Sequence, residues 1–156
     1  GPEYIDPAHP VQILAKEAFQ SMTETSDLGY AIDGCSAPNF ATTVHGLSRA
    51  MSKMANSKSS TVRGKAAVRL VDSMVKHPDL VAGEGRACTE LMMAMEGKVA
   101  VKTGAEGVFI AILPEKGIGI SLKITDGTTR AAESAITGLL VKYGALDSKH
   151  PIATAA

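Results

Sequence analysis

The chain has 156 residues, 45% hydrophobic and 21% charged, which suits one soluble globular domain able to bury a core. Lys plus Arg and Asp plus Glu each number 16, so the formal net charge is zero and the basic excess that suits a nucleic-acid or membrane-surface partner is missing. The longest apolar run, Gly107 to Leu113, is far shorter than the roughly 20 residues that cross a bilayer. The opening residues are polar and hold Pro2, Pro7 and Pro10, unlike a secretory leader. Two widely spaced cysteines, Cys35 and Cys88, do not make a disulfide-stapled module, so a cytoplasmic chain with reduced thiols is expected.

The first helical pattern opens at Pro10, with Val11, Ile13, Leu14, Ala18 and Phe19 at roughly helical spacing. Tyr30 to Cys35 reads as a short strand running into a glycine turn, and Ser36 to Phe40 as loop. A second helix is expected from about Ala41 to Ala55, carrying Val44, Leu47, Met51 and Met54. The polar run Asn56 to Ser60 breaks it. A third helix runs from about Val62 to His77 on the stripe Val68, Val71, Met74 and Val75, and Pro78 ends it. A short helix from Thr89 to Glu96 turns Leu91, Met92 and Met95 inward and stops at Gly97.

Strands follow over Val99 to Val101, Val108 to Leu113 and Ile118 to Ile124, the last two joined by a Pro-Gly turn at 114–117. Asp126-Gly127-Thr128 offers capping chemistry to a final helix whose stripe is Ala132, Ile136, Leu139, Leu140 and Tyr143. The ends, 1–8 and 147–156, are expected to be loose. Helices, then a strand meander, then a packing helix give an α+β fold, an antiparallel sheet flanked by helices. The methionines follow the helical stripes and read as core filling.

Lys102-Thr103-Gly104 carries the strongest chemical signal. A lysine at a strand end sets an ammonium where it can hold a carboxylate or exchange a proton. Thr103 adds a hydroxyl, and Gly104 lets a substrate approach the strand edge. The triplet is similar to one used by serine hydrolases related to β-lactamases and penicillin-binding proteins. It also fits a surface lysine beside a glycine turn.

Those hydrolases need a nucleophile in Ser-X-X-Lys, and Ser73-Met74-Val75-Lys76 matches that pattern. Ser73 lies nearly opposite Val71 around the helix, however, on the side of Arg69, Asp72 and Lys76. It is therefore read as part of a solvated face. Cys35, at a turn after Asp33-Gly34, suits a metal ligand or a reactive thiolate. Cys88 precedes a short helix, where the helix terminus and Arg86 would lower a thiol pKa. Two buried, inert thiols are the alternative. His9, His45, His77 and His150 do not pair at ligand spacing and read as structural or solvent-exposed.

Five segments taken together carry a further signal. They are His9 to Gln12, Asp33 to Ala41, His77 to Arg86, Val101 to Val108 and Leu122 to Glu133. In this order and spacing they resemble the C-terminal half of the Rhizobium-type (thermolabile, type II) L-asparaginase family, over about His9 to Leu140. The resemblance implies half of a β-lactamase/glutaminase-like fold. It implies hydrolysis of the side-chain amide of L-asparagine by Ser-Lys chemistry through an acyl-enzyme. Lys102 then matches a catalytic lysine paired with a serine from the N-terminal half, with Thr103 and Gly104 beside the substrate. Cys35 matches a zinc ligand, and Cys88 matches a further cysteine near that site, so both are expected as metal residues. The family's nucleophile and its first zinc-binding Cys-X-X-Lys are expected upstream of residues like these. The chain alone is therefore expected to lack amidase activity until an N-terminal half or companion chain supplies the Ser-X-X-Lys, as a homo- or hetero-oligomer. Two alternatives remain open: a non-catalytic partner-binding or regulatory module on the same fold, and a related enzyme acting on another amide in biosynthesis.

Overall fold

Proline is harmless at the start of a helix, because the N–H it lacks would be unpaired there. Pro10 accordingly opens α1 (Pro10–Thr23), and His9 caps it by accepting the Val11 N–H on Nδ1 at 3.2 Å. The computed structural model describes residues 2–155, which gather into two compact units, Gly1–Ala50 and Met51–Ala156.

In the first unit, α1 buries a different side from most of its apolar stripe, of which Phe19, the helix's aromatic residue, packs inward. Gln12 and Thr23 are its buried residues, whereas Val11, Ile13 and Leu14 are 51%, 45% and 65% exposed. The buried polar groups are satisfied locally. Gln12 donates to the Tyr4 carbonyl at 2.9 Å, and the Thr23 hydroxyl donates to the Phe19 carbonyl at 2.9 Å. Phe19 meets Phe40 with ring centroids 6.2 Å apart, and Phe40 meets Tyr30 at 6.4 Å.

Those rings account for a strand where loop was expected: β1 (Tyr30–Ile32) pairs antiparallel with β2 (Pro38–Phe40), Tyr30 opposite Phe40. Pro38 begins β2 in a two-stranded hairpin, a position where its missing N–H is tolerated. The start of α2 (Val44–Ala55) packs close to this unit's loops, since a Cβ on Gly46 would lie 2.5 Å from the hydroxyls of both Thr25 and Thr42. Arg49 donates to the Thr23 carbonyl at 3.2 Å and lies 3.4 Å from the Glu24 carboxylate.

The second unit holds the end of α2, then α3 (Val62–Lys76), α4 (Pro78–Ala82) and α5 (Ala87–Ala94). Thr61 caps α3 by accepting the Gly64 N–H at 3.0 Å. The strands β3 (Ala100–Thr103), β4 (Val108–Leu113) and β5 (Ile118–Lys123) form one antiparallel sheet in the order β3-β4-β5, followed by α6 (Thr129–Lys142). Alternation divides the sheet's residues. Val101, Phe109, Ala111 and Ile120 face one core with Leu91 and Met92 of α5 and Ile136 and Leu140 of α6. Ala100 and Ile112 face a second core with Ala55 of α2 and Val71 of α3.

The sheet is thus covered on both faces, and β4 reads VFIAIL because it is central and has no wet side. The final helix lies across the sheet as its stripe requires, with Ala132, Ile136 and Leu140 fully buried. This is the predicted α+β architecture. Both ends carry local structure: a 3-10 turn at Pro2–Ile5, and α7 (Pro151–Ala155), whose Ile152 packs against the core.

Candidate functional site

The site grows from the alternation of β3. Val101 is fully buried toward α5, so Lys102 projects to the opposite face, opposite Ile110 in register, where it is exposed. Its ammonium donates to the carbonyl of Thr103 at 2.6 Å. The Gly104 N–H turns inward to the Val108 carbonyl at 2.8 Å. Antiparallel geometry therefore points the Thr103 N–H outward, away from β4. It does not meet water there: it donates to Cys88 Sγ at 3.1 Å.

The loop after Lys102-Thr103-Gly104 is held in a tight turn. Glu106 and Gly107 both take left-handed φ, 56° and 69°. Gly107 is required, because a Cβ there would come within 2.9 Å of Ile124 Cβ. Lys123 at the end of β5 donates to the carbonyls of Glu106 and Ile124, at 2.5 and 2.6 Å, and the Ile124 N–H donates to the Gly107 carbonyl at 3.0 Å. Sequence reasoning placed Lys123 in a motif but missed this clamp. The available signal was a lysine ending a strand, level with the turn that joins the two preceding strands.

Cys88 sits in the first turn of α5 and is 1% exposed. The neighbouring Thr89 anchors that turn, with its hydroxyl 3.1 Å from the Pro78 carbonyl and 2.6 Å from the Gly83 carbonyl. The sequence reading expects a lowered thiol pKa here. Burial reverses it: desolvation pushes the thiol above its ordinary 9.0, against the opposing pull of the Thr103 N–H, Lys102 and Arg86, while Glu133 pushes it further up. Arg86 and Glu133 also line an open cavity of about 420 Å³ with Glu90 and Thr137, which sequence reasoning did not foresee.

Cys35 belongs to the first unit. It is exposed in the turn between β1 and β2, and its thiol donates to Asp33 Oδ2 at 3.4 Å. The two thiols should therefore react very differently. One equivalent of an alkylating agent is expected to modify Cys35 at pH 8, and Cys88 should follow only when the fold is opened by denaturant. Peptide mapping of the alkylated chain checks this, and fast labelling of Cys88 in the folded chain would contradict its burial.

A zinc ion would need four donors of the Cys, His or carboxylate kind. Among the described residues, no three or more His, Cys, Asp or Glu side chains come together. Cys35 with Asp33 offers two oxygen or sulfur donors. Cys88 does not fit a ligand: its sulfur is buried, favours the neutral thiol and already accepts the Thr103 N–H.

The remaining candidates resolve simply. Ser73 is exposed and its hydroxyl donates to the Arg69 carbonyl at 2.7 Å, so it lies on a solvated face as its helical position predicts. His9 caps α1, and His150 Nδ1 accepts the Ile152 N–H at 3.3 Å ahead of α7. His77 forms the junction of α3 and α4, and His45 lies 3.5 Å from Arg49.

The model of the L-asparaginase II family matches residues 2–156. A search of curated proteins gave no match. The family match spans the cysteine helix, the lysine strand that it braces and the clamped turn that follows, and on that basis the chain belongs to the L-asparaginase II family.

Proposed function

We propose that this chain supplies the lysine side of an asparaginase-type amide hydrolase acting on L-asparagine or a related amide. Lys102 works with a serine hydroxyl from a Ser-X-X-Lys element carried by a companion polypeptide or by further sequence of the same protein. The observation that carries the reading is the placement of Lys102. Its ammonium stands at the exposed end of an edge strand braced from α5, and Lys123 of β5 clamps the turn that follows it. The chain's own Ser73 lies on an exposed helix face with its hydroxyl donating to the Arg69 carbonyl, which supports a serine from elsewhere.

In the proposed reaction the serine Oγ bonds to the amide carbon while its proton passes to a neutral lysine amine. Collapse of the adduct breaks the C–N bond, and the leaving ammonia takes that proton. Water then adds to the ester carbon and gives a proton to the lysine amine; the C–O bond to serine breaks, that proton returns to the serine Oγ, and aspartate is released. A lysine acts as a base only when neutral, a form that burial favours. In this reading the serine-bearing polypeptide covers the exposed strand end that carries Lys102. Thr103 and Gly104 directly follow Lys102 at the strand end, and in this reading they lie beside the substrate.

The test is ammonia release from asparagine. The 156-residue chain alone is expected to give the buffer rate, and addition of a polypeptide carrying the Ser-X-X-Lys element is expected to restore turnover. Turnover by the purified chain alone would overturn the division of labour.

A further inference from the structure

We propose that Cys88 is a positioning residue for Lys102: its sulfur holds the outward N–H of Thr103 and so fixes the strand end that carries the lysine, rather than binding a metal. The inference rests on the reading of Lys102 given above. Its geometry stands apart from that reading.

Among the described residues, β3 has β4 on one side and no strand on the other. An edge N–H normally pairs with water or with another strand. At Thr103 it pairs with a side chain instead, at 3.1 Å from a sulfur that is 1% exposed. The carbonyl of the same residue accepts the Lys102 ammonium at 2.6 Å. The peptide unit between Lys102 and Thr103 is therefore gripped on its outer side by α5 and on its inner side by the pairing of Lys102 with Ile110. The grip is rigid because α5 is itself anchored. Leu91 and Met92 lie in the core, and Thr89 ties the first turn of α5 to Pro78 and Gly83. A swing of this peptide would carry the Lys102 Cα with it, and a shift of about 1 Å at a reacting group costs on the order of 100-fold in rate.

A metal-ligand role makes different demands. The sulfur would have to lose its proton, give up the Thr103 N–H and face further donors. Its polar and charged surroundings are Lys102, Arg86, Glu133 and the Thr103 N–H, and among the described residues no three metal-ligating side chains gather.

The experiment measures backbone amide exchange in the 15N-labelled chain, together with its response to Co2+. Cys88→Ala is expected to speed exchange at Thr103 at least tenfold while Phe109 and Ala111, across the strand pair, keep their wild-type rates. Cys88→Ser, which keeps an acceptor in the same place, is expected to recover most of the protection. Should Cys88→Ala fail to fold, Cys88→Val fills the space without an acceptor and serves instead. Added Co2+ is expected to give no thiolate charge-transfer band that depends on Cys88. In the catalytically complete enzyme, kcat should fall in Cys88→Ala with KM nearly unchanged and return in Cys88→Ser.

Unchanged Thr103 exchange in Cys88→Ala overturns the proposal. So does a cobalt–thiolate band that survives Cys35→Ser and vanishes in Cys88→Ser. The amide and cobalt measurements need no turnover, so their failure is distinct from failure of the ammonia assay that tests Lys102.

Discussion

Lys102→Ala in the catalytically complete enzyme is expected to lower kcat by about 10²- to 10⁴-fold, the range over which a positioned general base contributes. The loss should fall on kcat more than on KM, because the amine is needed when a proton moves and less when substrate docks. Folding should be untouched. The side chain is exposed, its acceptor is the carbonyl of the next residue, and the strand is held by Val101 within the core and by the Thr103 bond to Cys88. Lys102→Arg separates charge from proton transfer. It keeps a cation on the strand end but cannot become neutral near pH 7, so it should be as inactive as the alanine variant. Steady-state ammonia release, paired with a thermal melt, checks both. An alanine variant within about threefold of wild-type kcat would remove Lys102 from the chemistry.

Phe109→Ala should be the most costly single truncation for stability, at about 3–5 kcal/mol. Phe109 is fully buried at the middle of the sheet's inner face, opposite Thr103 in register, among Leu91 and Met92 of α5 and Ile136 of α6. Neighbours from two helices and the sheet cannot all collapse into the space it leaves, so a cavity cost adds to the lost transfer energy. Urea unfolding followed by circular dichroism reads the effect as a lower midpoint with a similar slope. A loss below about 1 kcal/mol would mean that this face repacks freely. Because Thr103 is Phe109's cross-strand partner, the same variant should loosen the strand end that carries Lys102.

Much of the second unit was legible because its pattern is local and one-sided. Ile118, Ile120 and Leu122 alternate, Pro114 and Gly117 mark the turn, and Ala132, Ile136 and Leu140 recur at helical spacing, so the β4–β5 hairpin and α6 follow from the residues alone. The strand triplet at Lys102 was visible for the same reason. The first unit was harder to read. Hydrophobicity gave α1 its start but not its buried side, because its fit is set by local bonds of Gln12 and Thr23 and by a few ring contacts. β2 was missed since three residues with a leading proline give no period to detect. The site's bracing was invisible for a deeper reason. The bond from Thr103 to Cys88 joins residues 15 apart, and the clamp from Lys123 to Glu106 joins residues 17 apart, so neither shows in a local pattern, although a lysine ending β5 hints at the second. Cys88 shows how one context outweighs another: helix start and nearby arginine argue for an acidic thiol, and burial wins.

The outward apolar side of α1 also has a bearing on handling. Val11, Ile13 and Leu14 meet water on a polypeptide whose positive and negative groups cancel at neutral pH. Long-range repulsion, which ordinarily keeps such greasy patches from meeting, is therefore weakest near pH 7. Colloidal stability should improve on either side of neutrality, and the purified polypeptide should clump most readily in the buffers usually chosen for assays.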